Sequence, residues 1–290
     1  MQFALKLHNN VHWAVPLGRT GDVYDDELPP GVEPAAQIAT TPALRTVHAG
    51  AYYFSLLAQV AGLILGVVAL TSSDAPDALV YLVALDLAVQ VIEFVWYVGM
   101  WVLLGSVDKV PTRFGFRYID WVLSTPVMLV SLLQFARFRK HPCTTTTIED
   151  LYAGDMVVAL LVTVAANLLM LAVGVVYELP NSETAKRWAR WLDSLVGGSP
   201  RAGLLLGFGF FAVAFAAPAW VTVDAEDAEA GALLVLTLLF WLFYGVAAIV
   251  FPGVPNAMVR SAAYSVLDAF AKNAVGILLA SLALAWEACA

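Results

Sequence analysis

Hydrophobic residues along this chain gather into seven long runs that short polar or turn-forming segments separate. The runs cover approximately residues 49–71, 78–105, 116–136, 151–178, 202–222, 231–252 and 261–287. Each run has about 20 residues or more, the length that a helix needs to cross the hydrocarbon core of a bilayer. A helix also satisfies its own backbone hydrogen bonds in lipid. The pattern therefore predicts an all-α membrane protein, a seven-transmembrane helix bundle with its termini on opposite sides.

The composition agrees with a protein that is surrounded by membrane lipid. The chain has 290 residues, of which 61% are hydrophobic and 13% charged, and soluble domains carry about 25% charged residues. Its net charge of −8 argues against a nucleic-acid partner. Residues 1–44 include a polar, proline-containing stretch and are predicted to form a cap segment. Residues 45–290 are predicted to form one transmembrane domain.

The third run carries a polar stripe through an otherwise apolar helix. Arg117, Asp120, Ser124, Met128 and Ser131 follow one another at the three- and four-residue spacing of a single helix face. Such a face, turned into the bundle, would form a polar path. Alternatively, it is a structural seam whose side chains hold neighbouring helices together.

The last run contains an acid and a base four residues apart, Asp268 and Lys272. Side chains at this spacing lie next to each other on a helix. Ionisable groups at membrane depth are costly, so they are candidates for function. Lysine also bonds covalently to carbonyl compounds when burial changes its basicity. The alternative is a structural salt bridge between helices.

Other polar side chains lie within the remaining runs. Asp86, Glu93 and Tyr97 share one face of the second run, and a carboxyl at this depth is expected to be neutral unless it is paired or hydrated. The alternative for Glu93 is a protonated acid bonded to a neighbouring helix. His48 is expected at the membrane interface. No cluster of side chains has metal-ligand spacing, and no arrangement suits hydrolysis, so neither a metal site nor an enzyme is predicted.

Two of these motifs resemble those of microbial rhodopsins. Arg117-Tyr118-Ile119-Asp120-Trp121, followed by Ser124-Thr125-Pro126, is similar to the third-helix pattern Arg-Tyr-x-Asp-Trp-x-x-Thr-Thr-Pro. Leu267-Asp268, with Lys272 four residues after the aspartate, is similar to the seventh helix of that family. The resemblance extends over all seven runs. It implies an extracellular N-terminus, a point on which the loop charges are ambiguous.

The resemblance implies a retinal chromophore, all-trans, bound covalently to Lys272 as a Schiff base. Asp120 and Asp268 would be its counterions, with Arg117 and Tyr97 supporting them. Two carboxylates opposite the lysine and the arginine would leave this site without net charge. The residues that match positions of the retinal pocket are Trp121, Thr125, Met128, Gly174, Trp241, Tyr244 and Gly245.

The chain departs from the pattern of outward proton pumps in this family. Such pumps carry a second carboxyl group eleven residues after the counterion, and here Ser131 stands eleven residues after Asp120. Arg260 occupies the position of a glutamate that releases protons. A cysteine–aspartate pair that links the third and fourth helices of channelrhodopsins is replaced by Thr125 and Asn167, which could still form a hydrogen bond.

Three further positions are similar to the central gate of channelrhodopsins, including viral channel-type rhodopsins. They are Ser55, Glu93 and Asn273, and Asp86 would stand in for an inner-gate acid. The resemblance thus implies a light-gated ion channel that conducts cations, namely H⁺, Na⁺ or Ca²⁺, through an acidic path. A homo-oligomer in the plasma membrane is expected. The alternatives are a weak outward proton pump and a sensory photoreceptor.

Overall fold

The computed structural model describes residues 41–112, 114–178, 183–198, 201–225, 227–251 and 256–286. Of the cap segment predicted for residues 1–44, residues 1–40 lie outside this part. A short 3₁₀ helix spans Val107–Thr112. The α-helices of the described residues are α1 (Pro42–Ser72), α2 (Asp77–Leu104), α3 (Phe114–Lys140), α4 (Ile148–Leu151), α5 (Met156–Glu178), α6 (Glu183–Leu195), α7 (Leu204–Ala225), α8 (Ala228–Val250), α9 (Ala257–Ala271) and α10 (Asn273–Leu284).

Seven helical segments of the described chain are long and apolar enough to cross a membrane. They are α1, α2, α3, α5, α7, α8 and the combined α9 and α10. The predicted all-α, seven-helix architecture is therefore confirmed, and the protein is a multi-pass integral membrane protein. The start of the fourth span was predicted at residue 151, but α5 begins at Met156 because α4 is a separate turn. Thr147 and Asp150 form a capping box that fixes α4.

Helix α6 is an element that the hydrophobic pattern did not predict. It lies between α5 and α7 and has only 13 residues, too few to cross a membrane. Ala185 and Leu192 are buried on one side, whereas the rings of Trp188 and Trp191 are about half exposed. An amphipathic helix with exposed tryptophans is typical of a segment that lies along a membrane surface.

The third and seventh spans, which carry the two motifs, are the most enclosed. Over the most apolar stretch of each span, 67% of the residues are buried in α3 and 61% in α9 and α10, compared with 17% in α7. Large apolar side chains such as Leu103 and Trp220 are exposed on the outside. Exposed apolar surface of this extent suits contact with lipid. The ionisable residues of the motifs are thus directed into the bundle.

Candidate functional site

Lys272 lies at an interruption of the last span. Helix α9 ends at Ala271 and α10 begins at Asn273, so the single helix predicted over residues 261–287 is divided. The carbonyl oxygen of Lys272 accepts a hydrogen bond from Gln90 Nε2 at 3.3 Å, and its helical bond from the Gly276 amide is long, 3.5 Å. A side chain that bonds to a backbone carbonyl in this way commonly distorts a helix. The pattern of apolar residues does not report such a contact.

The amino group of Lys272 is buried among three carboxyl groups. Nζ lies 2.5 Å from Glu93 Oε1, 2.8 Å from Asp120 Oδ2 and 3.7 Å from Asp268 Oδ1. The structure therefore brings the two predicted counterions to Lys272, and it adds Glu93, which was assigned to an ion path. All four side chains are at most 2% exposed. At this burial each ionic contact is screened far less than at a surface.

Asp268 is bonded more closely to other groups than to Lys272. Arg117 donates to its Oδ2 at 2.9 Å and Tyr97 at 2.7 Å, while Tyr244 donates to its Oδ1 at 2.6 Å. Asp120, by contrast, has one charged partner, Lys272, and its Oδ1 has no hydrogen-bond partner among the described residues. Asp268 is therefore an anion stabilised mainly by Arg117 and two hydroxyl groups.

The charges of this cluster do not balance in the way that the sequence suggested. The carboxyl groups of Glu93, Asp120 and Asp268 face two cations, Lys272 and Arg117. If all three acids were ionised, one surplus negative charge would remain in a buried site. An unpaired buried charge costs several kcal/mol. The arrangement therefore favours one protonated carboxyl group, and the short Glu93–Lys272 contact provides a position for the proton.

Arg117 also connects the cluster to a buried histidine. Its guanidinium donates to Ser265 Oγ at 2.8 Å and to Ser261 Oγ at 3.3 Å, and His48 Nε2 is 3.0 Å from the same Ser261 oxygen. His48 is fully buried. His48 thus faces the interior of the bundle, and its predicted level at the membrane interface stays a prediction. Residue spacing could not predict this contact, because 213 residues separate His48 from Ser261.

A largely apolar cavity reaches Lys272 from between α5, α7 and α8. It encloses about 870 Å³ of empty space, part of which is open to the outside. Of the predicted pocket residues, six line it: Trp121, Thr125, Gly174, Trp241, Tyr244 and Gly245. Met128 is not among the lining residues and belongs to the hydrophobic core. Trp241, which does line the cavity, belongs to the same core cluster, so the place of Met128 in the retinal pocket stays a prediction.

Several lining residues were not predicted. On α7 these are Leu204, Gly207, Phe208 and Phe211, and on other elements they include Tyr118, Met170 and Tyr264. The three- and four-residue spacing of positions 204, 207, 208 and 211 is a signal that could have identified this face. Two glycines, Gly174 and Gly245, leave space for aromatic side chains that pack against them. A Cβ atom on Gly174 would lie 2.8 Å from the Tyr118 hydroxyl, and one on Gly245 would lie 3.0 Å from the Phe208 ring.

Thr125 and Asn167 join the third and fourth spans. Asn167 Nδ2 donates to Thr125 Oγ1 at 2.8 Å, and the threonine hydroxyl donates to the Trp121 carbonyl at 2.6 Å. Ser124 donates to the Asp120 carbonyl at 2.9 Å, so this hydroxyl points along its own helix. The Thr125–Asn167 bond fixes one wall of the cavity close to Trp121.

The residues assigned to a gate lie in a buried polar seam next to Lys272. Gln59 Nε2 donates to Ser55 Oγ at 3.3 Å and to Glu93 Oε2 at 3.4 Å, so it joins these two side chains. The side-chain nitrogen and oxygen of Asn273 are buried without a hydrogen-bond partner among the described residues. Buried polar atoms of this kind commonly bond to internal water. The seam thus has the chemistry of a hydrated path.

Asp86 lies at the far end of this seam from Arg117. Its carboxyl oxygen Oδ2 accepts a hydrogen bond of 2.6 Å from Ser131 Oγ. Both side chains are buried. The sequence placed the two residues on separate helices and did not predict their contact. In the described part of the chain, no group of three or more histidine, cysteine or acidic side chains is arranged to hold a metal ion.

Comparison with known proteins identifies the fold. The family model described as "Bacteriorhodopsin-like protein" matches residues 49–286. No curated protein matches the sequence. Among solved structures, halorhodopsin, described as a light-driven chloride pump, has 22% sequence identity and a TM-score of 0.58, and the match covers 84% of this chain and 96% of that one.

Two other solved structures have a similar degree of likeness. Xanthorhodopsin, described as a light-driven ion pump with dual chromophore, has 17% identity and a TM-score of 0.60 over 84% of this chain and 95% of its own. The rhodopsin of Exiguobacterium sibiricum has 21% identity and a TM-score of 0.59 over 83% and 96%. At these identities the likeness demonstrates the fold alone. The finer resemblance to channelrhodopsins therefore stays a prediction.

Proposed function

Because this chain belongs to the family of bacteriorhodopsin-like proteins, we propose that it is a light-gated cation channel with retinal bound covalently to Lys272. Proteins of this family are not enzymes; they are retinal-binding membrane proteins that transport ions in response to light. The attachment residue, the channel mechanism and the conducted cations are the proposed parts.

The cavity supports the attachment of retinal at Lys272. Its walls are apolar and aromatic, with the ring centroids of Trp121 and Tyr244 5.2 Å apart, and Lys272 is one of its lining residues. A polyene with an aldehyde at one end suits these apolar walls and this amine. When bound, retinal supplies an isomerisation that is driven by light. The protein has to hold the lysine nitrogen, balance its charge and respond when its position changes.

Asp120 and Glu93 are the groups that would respond first. Both bond directly to Nζ, at 2.8 and 2.5 Å, whereas Asp268 is held by Arg117, Tyr97 and Tyr244. With retinal attached, the lysine nitrogen would carry a single N–H, which Asp120 would accept while Glu93 lies within reach. A displacement of that nitrogen would break this bond and leave Asp120 to find another partner. Asp120 serves as the direct counterion and Asp268 as a fixed anion one step away.

The observation that carries the channel proposal is that Glu93 bonds to Lys272 and to the polar seam at once. Its Oε1 accepts from Lys272, and its Oε2 accepts from Gln59, which also bonds to Ser55. Any movement at the lysine is thereby transmitted to the side chains of the path. The buried acids Glu93 and Asp120 would favour cations there, and Asn273 and Asp86 continue the path towards the other end.

A voltage-clamp recording tests this proposal. Cells that express the protein with retinal should show photocurrents whose sign reverses with membrane potential, because a channel lets ions run down their gradient. The reversal potential should follow the gradient of the conducted cation. A current that remains outward across the whole range contradicts the channel and favours an outward proton pump. The contact between Asp86 and Ser131 favours this second candidate, because it brings a carboxyl group to a pump's donor position.

A further inference from the structure

The pair Asp86–Ser131 is a buried acid site that the proposed channel function leaves largely unused. Ser131 lies eleven residues after Asp120 on α3, where proton pumps of this family carry a carboxyl group. Here α2 brings the Asp86 carboxyl to that serine, with 2.6 Å between Ser131 Oγ and Asp86 Oδ2. Asp86 is 2% exposed and Ser131 is fully buried. The carboxyl that is missing from α3 is therefore present in the fold, on the adjacent helix.

We propose that Asp86, held by Ser131, is the internal proton donor that returns a proton to the nitrogen of Lys272 after illumination. The nitrogen would first give its proton to the carboxylate of Asp120, which lies 2.8 Å from Nζ. The O–H bond of the Asp86 carboxyl then breaks and a new N–H bond forms at Lys272, which leaves Asp86 as a carboxylate. A proton from solvent then restores the acid. This assignment rests on the proposed attachment of retinal at Lys272, but it applies to a channel and to a pump alike.

The surroundings of Asp86 keep its proton in place before it is needed. Among the described residues its hydrogen-bond partner is the Ser131 hydroxyl, and its Oδ1 atom has none. No ion pair to Asp86 is found in that part of the chain. A carboxylate buried without a cation is costly, whereas a neutral carboxyl group is tolerated. Asp86 thus differs from Glu93 and Asp120, which both contact a cation.

Polar side chains connect Asp86 to Lys272. Gln90 lies four residues after Asp86, one turn along the same face of α2, and its Nε2 donates to the Lys272 carbonyl at 3.3 Å. A Cβ atom on Gly276 would lie 3.1 Å from Gln90 Nε2 and 3.6 Å from Asp86 Cβ, so Gly276 packs closely against both residues and no side chain at this position separates them.

The atoms along this passage are suited to hold water. Gln90 Oε1 and both polar side-chain atoms of Asn273 are buried without a hydrogen-bond partner in the described chain. A Cβ atom on Gly62 would lie 2.9 Å from Gln90 Oε1 and 3.2 Å from Asn273 Oδ1, so the two amides face the same space. Water bonded to such groups can relay a proton from Asp86 to Lys272.

The arrangement also separates the route of proton entry from the groups that accept protons. Asp86 precedes Glu93 by seven residues of α2, which is about 10 Å along the helix axis. Arg117, Asp268 and Tyr97 lie beyond Glu93. Asp86 lies towards the end at which α3 finishes with Arg137, Arg139 and Lys140. The extracellular N-terminus that the resemblance implies would place this end on the cytoplasmic side, so the donor would be recharged from the cytoplasm.

Flash photolysis of the Asp86→Asn variant tests the proposal. The return of the proton to Lys272 is monitored by visible absorbance. It should be slower by about 10²-fold in this variant, which is the usual effect of removing a positioned acid. A membrane-permeant weak acid in the buffer should restore much of the rate. Asp77→Asn, the same change at an exposed position of α2, should leave the rate unchanged. A lysine nitrogen that never loses its proton, or an unchanged rate in Asp86→Asn, would overturn the proposal.

Infrared spectroscopy provides a readout that does not depend on retinal. The retinal-free protein should show the carbonyl stretch of a protonated carboxyl group that is lost in Asp86→Asn and shifted in Ser131→Ala, because the serine bond to the acid is gone. Carboxylic acid bands that are identical in the wild type and Asp86→Asn would contradict a proton stored on Asp86. A wild-type protein that forms no pigment with retinal would refute the proposed function instead, and this infrared result would remain interpretable.

Discussion

Glu93 Oε1 lies 2.5 Å from Lys272 Nζ, closer than either aspartate that the sequence pattern assigns as a counterion. This contact places a residue of the proposed ion path directly against the proposed attachment site of retinal. It also adds a third acid to a cluster that contains two cations. In the proposed channel, the protonation of Glu93 and the opening of a path along α2 would thereby be linked.

Substitution of Glu93 by glutamine should alter conduction more than colour. Glutamine has nearly the same shape and can still bond to Gln59, but it cannot carry a charge. If Glu93 is the protonated acid of the cluster, the Glu93→Gln pigment should absorb near the wild-type maximum, while the reversal potential of its photocurrent shifts. Absorption spectra and voltage-clamp recordings of the same variant check this. Unchanged currents would show that Glu93 does not line the ion path and has only a structural role.

The substitutions Asp120→Asn and Asp268→Asn should have different effects, the first on the pigment and the second on folding stability. Asp120 has Lys272 as its charged partner, so its loss leaves the cation of the pigment less stabilised, and a larger deprotonated, blue-shifted fraction is expected at pH 7. Asp268 pairs with Arg117 at 2.9 Å, so its loss leaves a buried arginine unpaired. That costs about 3–5 kcal/mol of folding stability. Absorption spectra and thermal unfolding of the two variants measure these effects. The same response from both would contradict the division of roles.

The Gly245→Ala variant should narrow the cavity. An added Cβ atom would meet the Phe208 ring at 3.0 Å, so the ring must move into the space that retinal is proposed to fill. Slower pigment formation and a shifted absorption maximum are expected when retinal is added to the purified protein. Gly209→Ala is the matched control, since nothing lies within 4 Å of a Cβ atom there. Equal rates of pigment formation in both variants would show that Gly245 and Phe208 do not form part of the retinal pocket.

Asp227 should make the stability of one end of the bundle, where α3 ends and α8 begins, depend on pH. Burial by itself would raise the pKa of Asp227, but the charge and hydrogen bonds of Arg139, with the bond from the Ala230 amide, outweigh it and hold the pKa below its usual value. A lowered pKa contributes stability above the pKa of the unfolded chain, and this is lost as the pH falls through the folded value.

The Asp227→Asn variant keeps the cap of α8 but loses the ion pair. It should be less stable than the wild type by about 1 kcal/mol at pH 7, and this difference should shrink as the pH falls below about 3.9. Thermal unfolding of the two proteins at pH 7 and at a pH below about 3.9 measures this difference in stability. A difference that does not change with pH would show that the charge of Asp227 contributes nothing.

The sequence was sufficient to predict the helices that cross the membrane and the polar faces of α2, α3 and α9. Both depend on local regularities, the length of apolar runs and the three- and four-residue spacing of side chains. It was also sufficient to bring Asp120 and Asp268 to Lys272, because a known pattern supplied the relation between two distant helices. Helix α6 was missed because its hydrophobic residues occupy one face of a short, charged segment.

The remaining features depend on how the helices pack, which periodicity does not contain. Glu93 and Lys272 are 179 residues apart, and Asp86 and Ser131 are 45 apart. Which side chains meet is decided by the rotation and level of each helix in the bundle. The interruption at Lys272 has the same origin, since it accompanies a bond from Gln90 on another helix.

Attachment of retinal at Lys272 is the claim on which the rest of the account depends, and mass spectrometry tests it directly. The purified protein is incubated with all-trans retinal, the imine is reduced with borohydride, and the chain is digested. The peptide that contains Lys272 should carry the mass of a retinyl group, and Lys272→Ala should form no visible pigment. A retinyl group on another lysine, or a coloured Lys272→Ala protein, would contradict the account.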